Sequence, residues 1–337
     1  MKSTRIVLAS RPTGMPQPEN FRTETVELEP PAPGQALLQT LYLSLDPYMR
    51  GRMSDAPSYA PPVEVGETMC GATVSRVVES SDPALQPGDV VLGYGGWQTH
   101  SIEYTQYLRK LDPAAAPLTT ALGVLGMPGF TAYSGLLTIG QPKPGETVVV
   151  AAATGPVGAT VGQIAKIKGA RAVGIAGGPQ KVALLREKFG FDAAIDHRAP
   201  DFAEQLAAAT PDGIDVYFEN VGGAVLDAVL PRLNKFARIP VCGLIASYND
   251  TELPPGPDRM GLLMGHILRK SLLLRGFIQT EFLDQFDEFY PDATGWLADG
   301  KLTYLEDVVD GLDNAVAAFQ GLLTGKNLGK LSIKVAD

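Results

Sequence analysis

Hydrophobic and polar positions follow two different rhythms along this chain. Up to about Pro128 the apolar positions come in short runs: Ala36–Tyr42, Thr73–Glu79, Val90–Tyr94 and Gln106–Lys110. Turn-forming segments such as Pro30–Gly34 and Gln86–Asp89 separate them, which predicts an all-β domain. From Gly129 strand-like and helix-like stretches alternate. Helices are predicted over Thr131–Ile139, Ala159–Lys168, Pro179–Phe189, Phe202–Ala209, Ala224–Leu233 and Met260–Arg269. Between them fall strands at Arg171–Ala176, Ala193–Asp196, Asp215–Glu219, Arg238–Gly243 and Ser271–Phe277. Alternation of this kind implies a parallel, doubly wound sheet, an α/β fold. After a helix at Phe282–Ala298 come a last helix (Asn314–Thr324) and a strand (Lys330–Val335). That β-type ending predicts a tail that returns to the first domain. The expected division is 1–128 with 305–337 against 129–304.

One stretch, TVVVAAATGPVG from Thr147 to Gly158, organises the second domain. Val148, Val149 and Val150 form a β-branched run suited to a strand buried on both faces. Ala153, Gly155 and Gly158 then fall at the spacing of a dinucleotide fingerprint. Small residues there permit a tight bend, close approach of a pyrophosphate and close helix–strand packing. The anion would sit on free N–H groups at the positive end of the helix dipole. Ala153 stands where the strict pattern has glycine, and an ordinary tight connection is the other reading.

Some 20 residues beyond, an NAD site carries an acid for the ribose 2′-hydroxyl. Here the window Ile175–Lys181 holds no carboxylate and ends in a lysine. Lys181 reads either as a solvated helix-face lysine or as the partner of a 2′-phosphate, the mark of NADP.

Composition narrows the picture further. A chain of 337 residues exceeds one ordinary core, so two domains are expected. With 28 basic and 37 acidic residues the net charge is −9, which argues against nucleic acid or an anionic membrane as partner. Cys70 and Cys242 are the only cysteines, so a disulfide framework is excluded and a reducing cytoplasm is expected. The N-terminus lacks the apolar core of a signal peptide, and no apolar run reaches the ~20 residues of a membrane span. Zinc needs about three or four converging Cys or His ligands, and only His100, His197, His266 and the two cysteines exist. No metal site is expected. No G-x-S-x-G elbow supports hydrolysis either. The Pro-rich loop Ser54–Val63, tipped by Tyr59, reads as an inert connection or as a functional loop.

Several segments resemble zinc-free medium-chain dehydrogenases/reductases: LSLDPYMRGRM (43–53), GVLGMPGFTAYSGL (123–136) and AAATGPVGATVGQIAKIKG (151–169). YFENVGG (217–223), VCGLIASYN (241–249) and GKNLGK (325–330) do so too. Within that superfamily the chain is similar to the prostaglandin and leukotriene reductase and plant double-bond reductase group. Through SDAPSYAPPV and ELPPGPDR it resembles the bacterial curcumin reductase members of that group. The resemblance implies a GroES-like catalytic domain, a Rossmann domain, NADPH as cofactor, and reduction of a C=C bond conjugated to a carbonyl.

Residue by residue, it implies Ala153, Thr154, Gly155, Pro156 and Val157 on the pyrophosphate, and Gly177 with Lys181 on the 2′-phosphate. Met127, Asn220, Cys242, Gly243, Leu244, Ile245, Ser247, Phe277 and Asn327 would line the rest of the cofactor channel. His197 stands where prostaglandin reductases carry a tyrosine beside that lysine, and reads as a phosphate contact or a plain surface histidine. Tyr48 and Tyr248 match positions bordering the substrate, where tyrosine hydroxyls can stabilise an enolate oxygen, and Tyr59 on the 54–63 loop is a third candidate. A quinone reductase and a catalytically silent NADPH-binding protein remain as alternatives. The apolar strand Ser271–Phe277 reads as a sheet edge through which a homodimer would form.

Overall fold

The computed structural model describes every residue except Pro254 and Pro255, so that part of the ELPPGPDR motif lies outside the described residues. The chain opens with an antiparallel pair, β1 (Lys2–Leu8) and β2 (Phe21–Glu27). Sequence patterning misses both: β2 fully buries only Phe21, so its apolar alternation is faint, and β1 gathers its buried apolar residues at its end, Ile6, Val7 and Leu8. Next come β3 (Gln35–Ser44), the short helix α1 (Tyr48–Arg52), β4 (Thr73–Ser80), β5 (Val90–Gly93), β6 (His100–Tyr104) and β7 (Arg109–Leu111). The strand expected at Gln106–Lys110 is corrected. Thr105–Tyr107 is a 3-10 turn with Tyr107 at the surface, and pairing resumes only at Arg109.

The middle of the chain alternates as the patterning predicts. Helix α2 (Met127–Ser134) runs on into a wider π turn over Gly135–Gly140. Then follow β8 (Thr147–Val150), α3 (Pro156–Ile167), β9 (Arg171–Ala176), α4 (Pro179–Glu187), β10 (Ala193–Asp196) and α5 (Phe202–Ala209). Beyond these lie β11 (Ile214–Phe218), α6 (Gly223–Val229), β12 (Leu233–Val241), α7 (Met260–Lys270), β13 (Leu273–Gly276) and α8 (Phe286–Ala298). The helix expected to reach Leu233 stops at Val229. Pro231 sits in a 3-10 turn, and β12 begins at Leu233, bulged against β11 where Phe236 takes φ +67°. Strand β14 (Glu306–Asp310), helix α9 (Ala315–Leu323) and β15 (Lys330–Lys334) end the chain.

Chain contacts divide the molecule into two units, Met1–Leu122 with Glu306–Asp337, and Gly123–Leu305. The 123–126 turn goes with the second unit because it wraps the start of α2: a Cβ on Gly129 would lie 1.9 Å from the Val124 carbonyl oxygen. In the first unit the sheet runs β14-β15-β3-β4-β5-β7, with β6 also on β3. Its core brings the two ends of the chain together, since Trp97 stacks on Phe21 and meets Phe319 of α9 edge-on. In the second unit six strands, all parallel, run β10-β9-β8-β11-β12-β13. Renumbered within the unit this is 3-2-1-4-5-6, the doubly wound Rossmann order, whose direction of growth reverses between β8 and β11. Every residue of β8 is buried, as a strand covered by helices on both faces requires.

Candidate cofactor and active site

Ligands bind doubly wound sheets beyond the strand C-termini at the point of reversal, and the structure is specialised there. After β8 the backbone bends at Ala152, which takes a left-handed φ of +50°. Ala153 behind it is fully buried and donates its N–H to the Ile175 oxygen at 3.0 Å. This accounts for alanine in place of the first glycine, because the left-handed residue is the one before it. Ala153 needs only to be small, since Gly174 stands against its methyl. Thr154 is buried beside it. Gly155 caps α3 without a side chain and Pro156 opens the first turn. A Cβ on Gly158 would lie 2.5 Å from the Ala152 oxygen and 2.7 Å from Ala153 Cα, so the helix start presses onto the turn. The first-turn N–H groups of α3, Val157 included, have no intrahelical partner and can accept an anion.

Strand β9 ends at Ala176, whose register partner in β10 is Asp196, so Gly177 and His197 follow side by side. The two turns are clipped together. Asp196 Oδ1 accepts the N–H groups of Gly178 and Arg198, both at 2.9 Å, and His197 N–H reaches the Ala176 oxygen at 3.0 Å. Lys181 lies in the first turn of α4 and acts electrostatically on the imidazole. Burial holds His197 below its ordinary pKa, with Arg198 and Lys181 adding to the effect and Asp196 opposing it.

Across the reversal point, Asn220 Nδ2 donates to the Ala151 oxygen at 2.8 Å and ties β11 to β8. The turn that presents Asn220 is built on Glu219, which is 1 % exposed. Its Oε1 accepts the Tyr217 hydroxyl at 3.0 Å and the N–H groups of Val221 and Gly222 at 2.6 and 2.9 Å. The Glu219 carbonyl in turn takes the N–H groups of Cys242 and Gly243 as β12 ends. Burial and the nearby Glu219 push the Cys242 thiol up to about 12, so it stays neutral. Leu244 leads into a 3-10 turn at Ile245–Ser247, and Tyr248 folds back over it. The tyrosine hydroxyl accepts Leu244 N–H at 3.4 Å and lies 3.0 Å from where a Cβ on Gly243 would stand. Asn220 and residues 242–248 thus form one cluster. Met127 begins α2, with its carbonyl accepting the Thr131 hydroxyl. The ring of Phe277 is core, packed on Gly135 and edge-on to Phe218, so only its backbone remains at the strand end.

Three of the sequence-derived residues belong to the first unit. Tyr48 opens α1, Tyr59 tips the irregular 54–63 loop, and Asn327 lies between α9 and β15 with its amide on the Gly329 oxygen at 2.8 Å. Burial pushes the Tyr48 phenol well above the ordinary tyrosine range, reinforced by Asp46, Cys70 and Tyr94 and opposed by Arg52. Asp46 is itself paired with Lys330 at 2.7 Å, with both side chains buried, and Ser44 donates to it as well. The Arg52 guanidinium lies 4.9 Å from the Tyr59 ring centre and 5.8 Å from that of Tyr48. It also donates to the Pro61 oxygen at 3.0 Å, which holds the loop down. Neither Arg52 nor Arg198 stands out in the sequence. Each acquires meaning only from the strand register or loop course that brings it to its neighbours.

Among the described residues, no three His, Cys, Asp or Glu side chains cluster to hold a metal, and no helix is long and apolar enough to cross a membrane.

A Rossmann sheet with this turn, joined to a mainly β unit, defines a nucleotide-dependent oxidoreductase of the medium-chain type. Two family models agree: "N-terminal domain of oxidoreductase" over residues 4–111 and "Zinc-binding dehydrogenase" over 156–298. The second stretch contains just Cys242, His197 and His266 as Cys or His, so its description does not extend to a zinc site here. The chain is 60 % identical to the NADPH-dependent curcumin reductase of Escherichia coli, over 99 % of this chain and 97 % of that one. It is 43 % identical to prostaglandin reductase 1 of Sus scrofa, over 95 % of each. A crystal structure of CurA from Vibrio vulnificus in complex with NADPH superposes with a TM-score of 0.96 at 54 % identity, covering 99 % of each chain. The protein therefore belongs to the zinc-free prostaglandin reductase and double-bond reductase group of medium-chain dehydrogenases/reductases, with a GroES-like unit and a Rossmann unit.

Proposed function

We propose that this protein is an NADPH-dependent reductase of the C=C bond in α,β-unsaturated carbonyl compounds. The observation that carries the reading is likeness along the whole chain to reductases named for this cofactor and chemistry. The local structure supports it. Gly158 lets the start of α3 press onto the turn after β8, Gly155 caps that helix without a side chain, and the 2′-phosphate end offers Lys181, His197 and Arg198 with no acid in the 175–181 window. The Rossmann unit is the cofactor domain in this reading, and the GroES-like unit the catalytic one.

When bound, NADPH supplies a hydride to the β-carbon of the conjugated alkene. The protein's part is to hold and polarise. The α3 amides and residues 153–157 hold the pyrophosphate, and Asn220, Met127, residues 242–247, Phe277 and Asn327 border the rest of the cofactor. As the β-carbon is reduced, negative charge gathers on the substrate carbonyl oxygen. Tyr48 and Tyr248 are donors for that oxygen, a kind of stabilisation that is strongest when preorganised. The raised pKa of Tyr48 keeps its proton in place across the working pH range, so it serves as a hydrogen-bond donor. Tyr59, steadied by Arg52, borders the substrate. The proton that completes the α-carbon comes from solvent or a tyrosine.

The functional unit is a homodimer in the cytoplasm. Strand β13 ends the sheet with one side open, and Leu273 on it is 49 % exposed. On α7 the apolar side chains Met260, Leu262, Met264 and Leu268 are exposed as well. An open apolar edge is self-complementary about a two-fold axis, which a second copy would satisfy. Steady-state rates over enones, quinones and aldehydes, with deuteride-labelled NADPH, test the reaction. Label on the β-carbon of a saturated ketone is expected, and label on the carbonyl carbon would overturn the reading.

A further inference from the structure

The turn after β9 carries more than a lysine. A Cβ on Gly177 would lie 2.8 Å from both His197 Nε2 and Arg198 Nε, so imidazole and guanidinium overhang the same glycine. The groups that face the imidazole are Asp196 and Arg198 from its own segment and Lys181 from α4. The one carboxylate among them is already committed to two backbone N–H groups. The histidine therefore shares the field of two cations, Arg198 and Lys181, a setting that suits an anion.

We propose that His197 is a proton-linked reader of the cofactor's 2′-phosphate, neutral in the free protein and protonated in the complex, with Arg198 as its companion cation. This rests on the NADPH reading above. Without a ligand, burial and the two neighbouring cations keep the imidazole uncharged near neutral pH. A dianion entering among the three reverses the local field, and an opposite charge within about 4–6 Å raises such a pKa by roughly 1–3 units. The balance is simple: one proton passes from solution to the free imidazole nitrogen, and no covalent bond changes. A phosphate monoester has its second pKa at about 6, so above about pH 7 the ligand is already dianionic and releases nothing in compensation. The complex then holds one proton more than the free protein. Affinity for NADPH falls as pH rises between the free and bound pKa values of His197, by up to about tenfold per pH unit. Affinity for NADH does not share this slope.

Calorimetry with 2′,5′-ADP as probe, at about pH 7.5 in two buffers of different ionisation enthalpy, reads the proton directly. Uptake of roughly half to one proton per site is expected, with none for 5′-AMP and none in His197→Asn. Arg198→Ala should weaken 2′,5′-ADP by about tenfold or more while keeping the uptake, and Arg198→Lys should restore much of the affinity. Tight 2′,5′-ADP binding with no proton uptake, or uptake that persists in His197→Asn, overturns the inference and leaves the NADPH reading intact. If 2′,5′-ADP binds no better than 5′-AMP, the NADPH reading itself fails.

Discussion

Gly158→Ala offers a sharp test of the turn that follows β8. The added methyl would stand 2.5 Å from the Ala152 oxygen, whereas ordinary contact begins at 3.4 Å, so something must move by about 0.9 Å. Both atoms in the way are backbone, Ala152 O and Ala153 Cα, and neither is the yielding end of a side chain. Overpacking of this kind costs about 1–3 kcal/mol. Alanine's better helix propensity returns up to about 1 kcal/mol, because position 158 lies inside α3. The net loss should be about 1–2 kcal/mol, read as a lower urea midpoint with unchanged slope. The displaced atoms belong to the turn that presents the α3 amides, so NADPH affinity should fall by about tenfold or more. Gly295→Ala is the matched control. Gly295 lies within α8 with open space where the Cβ would go, so this variant should be neutral or stabilised by up to about 1 kcal/mol. A Gly158→Ala protein with the parent's midpoint and NADPH affinity would refute the reasoning, since the turn would then be neither rigid nor a phosphate cradle.

The other expectations are shorter to state. Lys181→Ala should weaken NADPH by about one to two powers of ten and leave NADH nearly unchanged, and equal efficiency of the parent with both cofactors would sink the assignment. Tyr48→Phe or Tyr248→Phe alone should lower kcat on an enone by about tenfold or more, with the double variant much worse. If both single variants keep full rates while deuteride still reaches the β-carbon, the reaction stands and the tyrosine assignment falls. Dialysis against a chelator should leave activity unchanged, and a stoichiometric metal lost together with activity would contradict this. Light scattering at micromolar concentration should report a dimer that Leu273→Asp on β13 converts to a monomer, and a monomeric parent would rule the dimer out.

Local pattern was enough for much of this molecule. The Val148–Val150 run had to be a strand buried on both faces, and Ala153-x-Gly155-x-x-Gly158 placed a tight turn and a helix directly after it. The absence of a carboxylate from Ile175 to Lys181 is a fact of composition that no folding can alter, and so is the shortage of zinc ligands. Strand existence followed for most strands whose burial on one or both faces leaves a strong apolar signal, with β1 and its buried Ile6, Val7 and Leu8 the exception. It failed for β2 and β6, which are held by backbone pairing to neighbours and bury little of their own. It failed too for β14, where pairing with β15 rather than apolar content makes the strand. What tertiary structure alone decided is the set of meetings across sequence distance. Asp46 finds Lys330 because β15 returns to lie on β3, and Trp97 finds Phe21 and Phe319 because both chain ends share one core. His197 and Arg198 face Gly177 only because β10 pairs with β9 in the register that sets Asp196 beside Ala176. Pattern and composition act along the chain, where neighbours are fixed by covalent order. Strand order and register arise when buried faces must find one another and every buried N–H and C=O must be paired, and those constraints are satisfied only by the whole fold.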